Sequence, residues 1–362
     1  MGKKMTILLA MLVVVTAISG GFVVGGIQAY SRFQQSSLAM QEQCGGQPPV
    51  HICVQAPTEV FSAYYPFYLS THTAQFFVSY SSDSLLTLII NASVVGFTQL
   101  ETHTVNATTV TQQKGFIPTL LNSAVRSQVA DTHTSLSVRV TDTRGKLYYT
   151  NDSPLLLHSH RLMQWVAANR LKIAAWVTPD DPAVKSLVAK AASLLPNEPG
   201  PAPVAMLGYA NHATARAVRD QVDAIFDAMS QDYHMHYSQA PVPYGGPGDT
   251  NISLQNIDLP AETLAQRSGM CIELTVLLAS AVEQIGLHAE IVIIPGHAFL
   301  GVATTPILTR NTAYEYWDAV DVNSNVAGDS ANIYTDQRYK TYQIVDTIAI
   351  SDARQAGVEP MV

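Results

Sequence analysis

A cysteine, a histidine and two aspartates, in that order along the chain, are the residues best suited to carry out chemistry. They are Cys271, His297, Asp318 and Asp321. A thiol attacks carbonyl carbons efficiently only as the thiolate, so it needs a helix N-terminus and an imidazole that lower its pKa. A third group must orient the imidazole. The set therefore predicts a nucleophilic cysteine that acts on acyl groups.

The residues after Cys271 predict a helix that begins close to the thiol. Apolar residues recur at helical spacing, and Gly286 is suited to end the helix. The dipole of such a helix stabilises a thiolate by up to about 1–2 kcal/mol, and its first N–H groups can bind an oxyanion. Glu273 is interpreted as a structural acid in the first turn. The alternative is an inert, buried cysteine, which is common at such a position.

His297 and the two aspartates are expected on strands. A β-prone run over 289–294 precedes His297, and a second run follows at 298–303. Asp318 and Asp321 lie on another predicted strand, where residues three apart point to opposite faces. Only one of them can orient His297, and we expect the other to be solvated. The alternative for the histidine is a turn residue without a catalytic role.

Three sequence blocks between about residues 210 and 330 agree in order and spacing with a known family. They are Gly269-x-Cys271 with the helix through Glu283 and Gly286-Leu287, the segment Pro295-Gly296-His297-Ala298-Phe299, and the strand that carries Trp317. These blocks resemble the transglutaminase-like superfamily, a branch of the papain-like fold. The resemblance implies a cysteine on a helix, with histidine and aspartate on neighbouring antiparallel strands. Its W-x-x-x-D pattern matches Trp317 and Asp321, so it favours Asp321 as the acid, with Asp318 as the second choice.

The resemblance also implies a function. A Cys271–His297–Asp321 triad would form a thioester and then hydrolyse amides of proteins or peptides, or transfer the acyl group to an amine. No cofactor is implied, and the residues do not favour water over amine. The alternative function is a catalytically inactive transglutaminase-like module that serves as a binding or scaffold domain at the cell surface. A third possibility is that the β-rich region before it acts in adhesion.

Two pairs of histidines could begin a metal site. His234 with His236, and His158 with His160, each have the spacing of ligands on one strand face. No third ligand is apparent in the sequence for either pair, so no metal is predicted. The sequence also contains no phosphate-binding loop, dinucleotide fingerprint or serine nucleophile elbow.

The composition indicates folded domains rather than disorder. Of the 362 residues, 47% are hydrophobic and 13% are charged, and the formal net charge is −8. A chain of this length forms about two domains. The negative charge and the absence of a basic stripe argue against nucleic acid as a partner.

Residues 1–30 are predicted to be a signal anchor that spans a membrane. Lys3 and Lys4 precede an uncharged, largely apolar run over residues 6–29, which is long enough to cross a bilayer. The positive charge before this run predicts that the bulk of the protein is extracytoplasmic, at the cell surface or in the periplasm. A cleaved signal peptide is the alternative.

Beyond the anchor we predict an α+β protein with three regions. Residues 31–55 look like a juxtamembrane stalk, in which Cys44 and Cys53 could form a disulfide in an oxidising compartment. Short strand-like runs over 56–160 predict an antiparallel β-sandwich as an accessory domain. Residues 161–362 are expected to form the papain-like, transglutaminase-like domain, with the cysteine helix packed on an antiparallel sheet.

Overall fold

The computed structural model describes residues 40–126, 128–165, 167–195, 205–210, 214–238, 253–294, 297–308, 312–324 and 343–346. The described residues form helices and mainly antiparallel sheets, which confirms the predicted α+β class. The predicted membrane anchor at residues 6–29 lies outside the described residues. No helix within the described ranges has the length and apolar character needed to cross a bilayer.

Two sheets form the N-terminal half of the described chain. Strands β1 to β9 span, in chain order, Met40–Gly45, Val50–Pro57, Glu59–Phe61, Phe76–Ser82, Leu86–Val94, Glu101–Ala107, Gln112–Phe116, Thr132–Asp142 and Leu147–His158. One sheet has the order β1-β2-β4-β7 and the other β3-β9-β8-β5-β6. Among the described registers, β3 with β9 is parallel and the others are antiparallel. A 3-10 turn and two short helices, α1 and α2, lie between strands, at Ser62–Tyr64, Tyr65–Ser70 and Asn122–Arg126.

Alternating burial explains why these strands form two layers. β4 and β5 bury every second residue, so each sheet has an apolar face. Side chains from both sheets, including Phe76, Leu136 and Leu155, line one apolar cavity. The two sheets therefore face each other across a shared core.

The predicted stalk over residues 31–55 is corrected by the structure in its second part. β1 and β2 belong to the first sheet, and a disulfide between Cys44 and Cys53 joins them. The alternate apolar residues of β2 are buried in the core. This burial makes the segment a strand despite its polar, glycine- and proline-containing composition. Residues 31–39 lie outside the described residues.

The C-terminal half contains helices as well as sheets. Strands β10 to β17 span Leu162–Trp165, His236–Tyr237, Ser253–Asn256, Ser268–Gly269, Ala289–Ile294, His297–Ala303, Tyr314–Trp317 and Gln343–Asp346. Helices α3 to α6 span Pro182–Ala192, Ala215–Asp227, Pro260–Gln266 and Cys271–Gln284, and less regular helical turns lie at Ala167–Trp176, Ala228–Asp232 and Ala319–Ser324. An antiparallel sheet of order β16-β15-β14-β17 packs against α6. β10 pairs with β12 in antiparallel register, and β11 pairs with β13 in parallel register.

The helical turn Ala167–Trp176 carries a buried lysine that contacts α1. The Lys172 residue is 5% exposed. Its Nζ donates to Asn169 Oδ1 at 2.8 Å and to the Tyr68 hydroxyl at 3.5 Å, and it lies 4.6 Å from the centre of the Tyr64 ring. Burial lowers the pKa of Lys172 to about 8. The charged form of the amine is therefore less stable in the folded protein than in water.

Replacing Lys172 with methionine is expected to stabilise the protein near pH 6.5 by about 1 kcal/mol. A lysine with a lowered pKa destabilises the fold below its folded pKa of about 8, and this effect disappears as the pH rises toward the unfolded value of 10.5. The lost cation–π contacts offset part of the gain. Urea unfolding at pH 6.5 and pH 10 measures the difference, which should shrink or change sign at the higher pH.

The matched control is Lys185→Met, because the side chain of Lys185 is 50% exposed. Its effect on the free energy of unfolding should be small at both values of pH. A stabilisation by Lys172→Met that stays constant between pH 6.5 and pH 10 would show that the charge of Lys172 is not its cause.

Candidate active site

Cys271 is the first residue of α6. The preceding Met270 is extended, and its carbonyl accepts the first helical hydrogen bond, from the Leu274 N–H at 3.0 Å. Cys271 is 5% exposed. The thiol therefore lies at the positive end of the helix dipole, next to N–H groups that have no partner within the helix. This is the position that the sequence predicts.

A carboxylate holds the chain immediately before the thiol. Glu273 Oε2 accepts the Met270 N–H at 2.8 Å, and its Oε1 accepts the Asp258 N–H at 2.9 Å. Both oxygens bond to backbone, which confirms the interpretation of Glu273 as a structural acid at the helix N-terminus. The contacts tie α6 to the segment that follows β12.

A steric reason explains why the Gly269-x-Cys271 motif has a glycine. A Cβ atom added to Gly269 would lie 2.9 Å from Thr263 Cγ2 and 3.1 Å from Glu273 Cβ. Both distances are too short for ordinary packing. A larger residue here would push α5 and α6 apart at the point where Cys271 begins its helix.

His297 connects the thiol to an acid. It is the first residue of β15, and its Nε2 donates to Asp318 Oδ2 at 2.7 Å. The Cys271 thiol lies close enough to the imidazole to act on the pKa of His297, and Nδ1 is the ring nitrogen that is not bonded to Asp318. Burial lowers the pKa of His297, but the hydrogen bonds and charges of Asp318 and Cys271 outweigh burial and raise it to about 10. This environment favours an imidazolium at neutral pH.

The structure corrects the preference for Asp321. The acid bonded to His297 is Asp318, the second choice of the sequence analysis. β16 ends at Trp317, so the chain is not a strand at either aspartate and the expected alternation of faces does not apply. Asp321 is exposed, one helical turn further on, where its N–H donates to the Asp318 carbonyl at 3.1 Å. Partial burial and the charge of Asp318 raise the pKa of Asp321, while His297 lowers it.

A second aspartate supports the turn that carries Asp318. Trp317 Nε1 donates to Asp223 Oδ1 at 2.7 Å, from β16 to α4. Burial raises the pKa of Asp223 to about 6, although the Trp317 hydrogen bond and the charge of Arg219 lower it. The sequence analysis missed Asp223 because nothing in the spacing of α4 relates it to Trp317.

The histidines weighed as metal ligands have other surroundings. His158 Nδ1 lies 2.8 Å from Asp131 Oδ2 and its Nε2 lies 3.0 Å from Glu59 Oε2. His160 Nε2 instead lies 3.1 Å from Glu262 Oε1. These two imidazoles therefore bond to separate carboxylates. His234 has a left-handed backbone, with φ of 49°, and precedes the strand that contains His236.

Glu262 also joins the end of the β-rich half to α5, the helix that precedes the cysteine helix. Its Oε1 accepts from Arg161 Nη2 at 2.6 Å, and its Oε2 accepts the Leu259 N–H at 2.9 Å. Burial alone would raise the pKa of Glu262, but the bonds from His160, Arg161 and Leu259 lower it to about 2. The carboxylate is thus charged over the whole physiological range and holds α5 in place.

The structure thus brings Cys271, His297 and Asp318 together: His297 bonds to Asp318 and lies near the Cys271 thiol. Such a set can hold a thiolate beside an imidazolium and deliver a proton to a leaving group. No protein-family model matches the chain, and none of the curated proteins compared with it is significantly similar. The likeness to the transglutaminase-like superfamily therefore depends on the residues and motifs named above.

Proposed function

We propose that this protein is an extracytoplasmic, thiol-dependent acyl enzyme that acts on amide groups of proteins or peptides. Cys271 is the nucleophile, His297 is the general acid and base, and Asp318 orients the imidazole. The observation that carries the proposal is the position of His297, which bonds to Asp318 at 2.7 Å and lies close enough to the Cys271 thiol for the thiol to act on its pKa. A buried cysteine with no chemical role has no need of this arrangement.

The proposed reaction proceeds in two halves. The Cys271 thiolate attacks the amide carbon, and the carbonyl electron pair moves to the oxygen, where N–H groups at the start of α6 stabilise the charge. His297 gives a proton to the amide nitrogen, the C–N bond breaks, and a thioester and a free amine result. Water or a second amine then attacks the thioester, loses a proton to His297, and releases the thiolate.

The architecture that we propose with this function is a membrane-anchored, papain-like domain preceded by a β-sandwich. The packing of α6 on the antiparallel sheet β16-β15-β14-β17 supports the papain-like domain. The disulfide between Cys44 and Cys53 supports an oxidising compartment, and hence a location outside the cytoplasm. The apolar run at residues 6–29 supports the anchor.

The test uses the purified full-length chain with dimethylcasein, with and without dansylcadaverine. We expect either cleavage of the casein or incorporation of the fluorescent amine, and a thioester adduct on Cys271 detectable by mass spectrometry at low pH. Cys271→Ala should abolish both signals, since no other group in the set can form the thioester. Unchanged casein and an unmodified Cys271 in the wild-type chain, over a panel of further peptide amides, would contradict the proposal.

One observation favours a second candidate function. Cys271 is only 5% exposed, which is more typical of a structural cysteine than of an open nucleophile. A transglutaminase-like module that binds proteins without turnover would keep the fold and the burial. It would not require the thiol to react faster than an ordinary buried cysteine.

A further inference from the structure

The low exposure of Cys271 means that other side chains cover the thiol. His297 lies on one side, with 24% of its side chain exposed. On another side runs β11, a two-residue strand, His236–Tyr237, that sequence periodicity does not reveal. This strand precedes the cysteine helix by more than thirty residues in the chain and is adjacent to it in the fold.

Backbone hydrogen bonds fix β11 beside the approach to the cysteine. The His236 N–H donates to the Arg267 carbonyl and the Ser238 N–H donates to the Gly269 carbonyl, both at 2.9 Å. Tyr237 is therefore paired with Gly269, two residues before Cys271. Gly269 is the last residue of β13, and Cys271 begins α6 two residues later. β11, which carries Tyr237, therefore lies beside the segment that leads into the cysteine helix.

Two further observations place Tyr237 near Cys271 and Asp318. β11 also packs against the turn Ala319–Ser324, which follows Asp318. Burial raises the pKa of Tyr237, and the charges of Cys271 and Asp318 raise it further, so the phenol lies within electrostatic range of both. The residue is nevertheless 39% exposed. Tyr237 is thus partly exposed to solvent while it lies near Cys271 and Asp318.

We propose that Tyr237 is a specificity-determining residue whose ring covers the Cys271 thiol and limits the width of the acyl group that reaches it. The ring spans the opening between the start of α6 and the turn after Asp318. A slender group can pass beside it, whereas a wide group must displace it. The proposal rests on the proposed function for its role in substrate choice, but access to the thiol is measurable without any substrate.

Alkylation measures this access directly. The chain has three cysteines, and two of them form the Cys44–Cys53 disulfide, so a thiol reagent modifies Cys271 alone. We would measure second-order rate constants with iodoacetamide and with the much wider iodoacetamidofluorescein, at one pH, on the full-length chain. In Tyr237→Ala the ratio of the rate constant for the wide reagent to that for the narrow reagent should rise at least about tenfold, which is the usual size of a steric discrimination. In Tyr237→Phe the ratio should stay at the wild-type value, because the ring remains.

Tyr233→Ala is the matched control, since Tyr233 lies on the same segment, before β11. It should leave the ratio unchanged, and thermal unfolding should show that each variant is folded. A ratio unaffected by Tyr237→Ala overturns the proposal, and so does a Tyr237→Phe variant that behaves like the alanine variant. If neither reagent modifies Cys271 in the wild-type chain, modification of Cys271 in Tyr237→Ala supports the proposal. No modification in Tyr237→Ala overturns it. A failure of the proposed function gives a different result: the alkylation rates of Cys271 would be the same in the wild type and in His297→Ala.

Discussion

Replacing His297 with alanine is expected to slow alkylation of Cys271 by iodoacetamide at pH 6.5 by about 100-fold. The raised pKa of His297, about 10, keeps the imidazole charged through neutral pH, where it stabilises a thiolate. Without it, the ionised fraction of the thiol depends on pH alone. An ordinary thiol with a pKa of about 8.5 is about 1% ionised at pH 6.5.

The wild type and His297→Ala should differ in how the alkylation rate of Cys271 depends on pH. In the wild-type chain the alkylation rate should vary less with pH between pH 6.5 and pH 9 than in His297→Ala, because the imidazolium near the thiol stays charged until the pH approaches the His297 pKa of about 10. In His297→Ala the rate should climb steadily over the same range and approach that of the wild type at its upper end. His288→Ala is a suitable control, since that imidazole bonds to the Pro306 carbonyl and not to the site. Parallel profiles for the wild type and His297→Ala would show that the histidine does not activate the thiol.

The two aspartates are expected to differ sharply when each is replaced by asparagine. Asp318→Asn should reduce both the alkylation rate at pH 6.5 and any acyl activity by at least about tenfold, because the imidazolium loses the carboxylate that orients and stabilises it. Asp321→Asn should change either rate by less than about threefold, as expected for an exposed charge. Alkylation rates and casein turnover of the two variants, measured side by side, test the assignment.

Each aspartate variant acts as the control for the other. Asp318 and Asp321 are three residues apart, and each substitution removes one negative charge. An effect of net charge alone would therefore appear equally in both variants. A larger loss in Asp321→Asn than in Asp318→Asn would restore the assignment favoured by the W-x-x-x-D spacing. Equal losses would indicate that the turn matters and that neither carboxylate has a separate role.

Much of the cysteine helix was predictable from sequence because its signals are local. The apolar spacing after Cys271 and the glycine at 286 describe α6, which the structure places at Cys271–Gln284. The β-prone run before His297 likewise corresponds to β14, at Ala289–Ile294. Both segments are buried along most of their length, so the run of apolar side chains in the sequence indicates where they lie.

The identity of the acid was not predictable in this way. A spacing of three residues distinguishes Asp318 from Asp321 only if the strand continues, and β16 ends at Trp317. At that end the Trp317 indole bonds to Asp223, which is far away in sequence. Tyr237 escaped notice for a similar reason, since a two-residue strand has no periodicity. Long-range contacts, rather than local preferences, decide both.

The order in which the chain supplies its catalytic groups has a consequence for biosynthesis. Cys271 is made first, His297 follows, and the turn with Asp318 emerges last. The imidazole gains its carboxylate only when β16 docks on β15, so a nascent chain carries an ordinary thiol while its substrate-like backbone is still unfolded. In the enzyme that we propose, reactivity would therefore appear only after that backbone has been enclosed in sheets and helices.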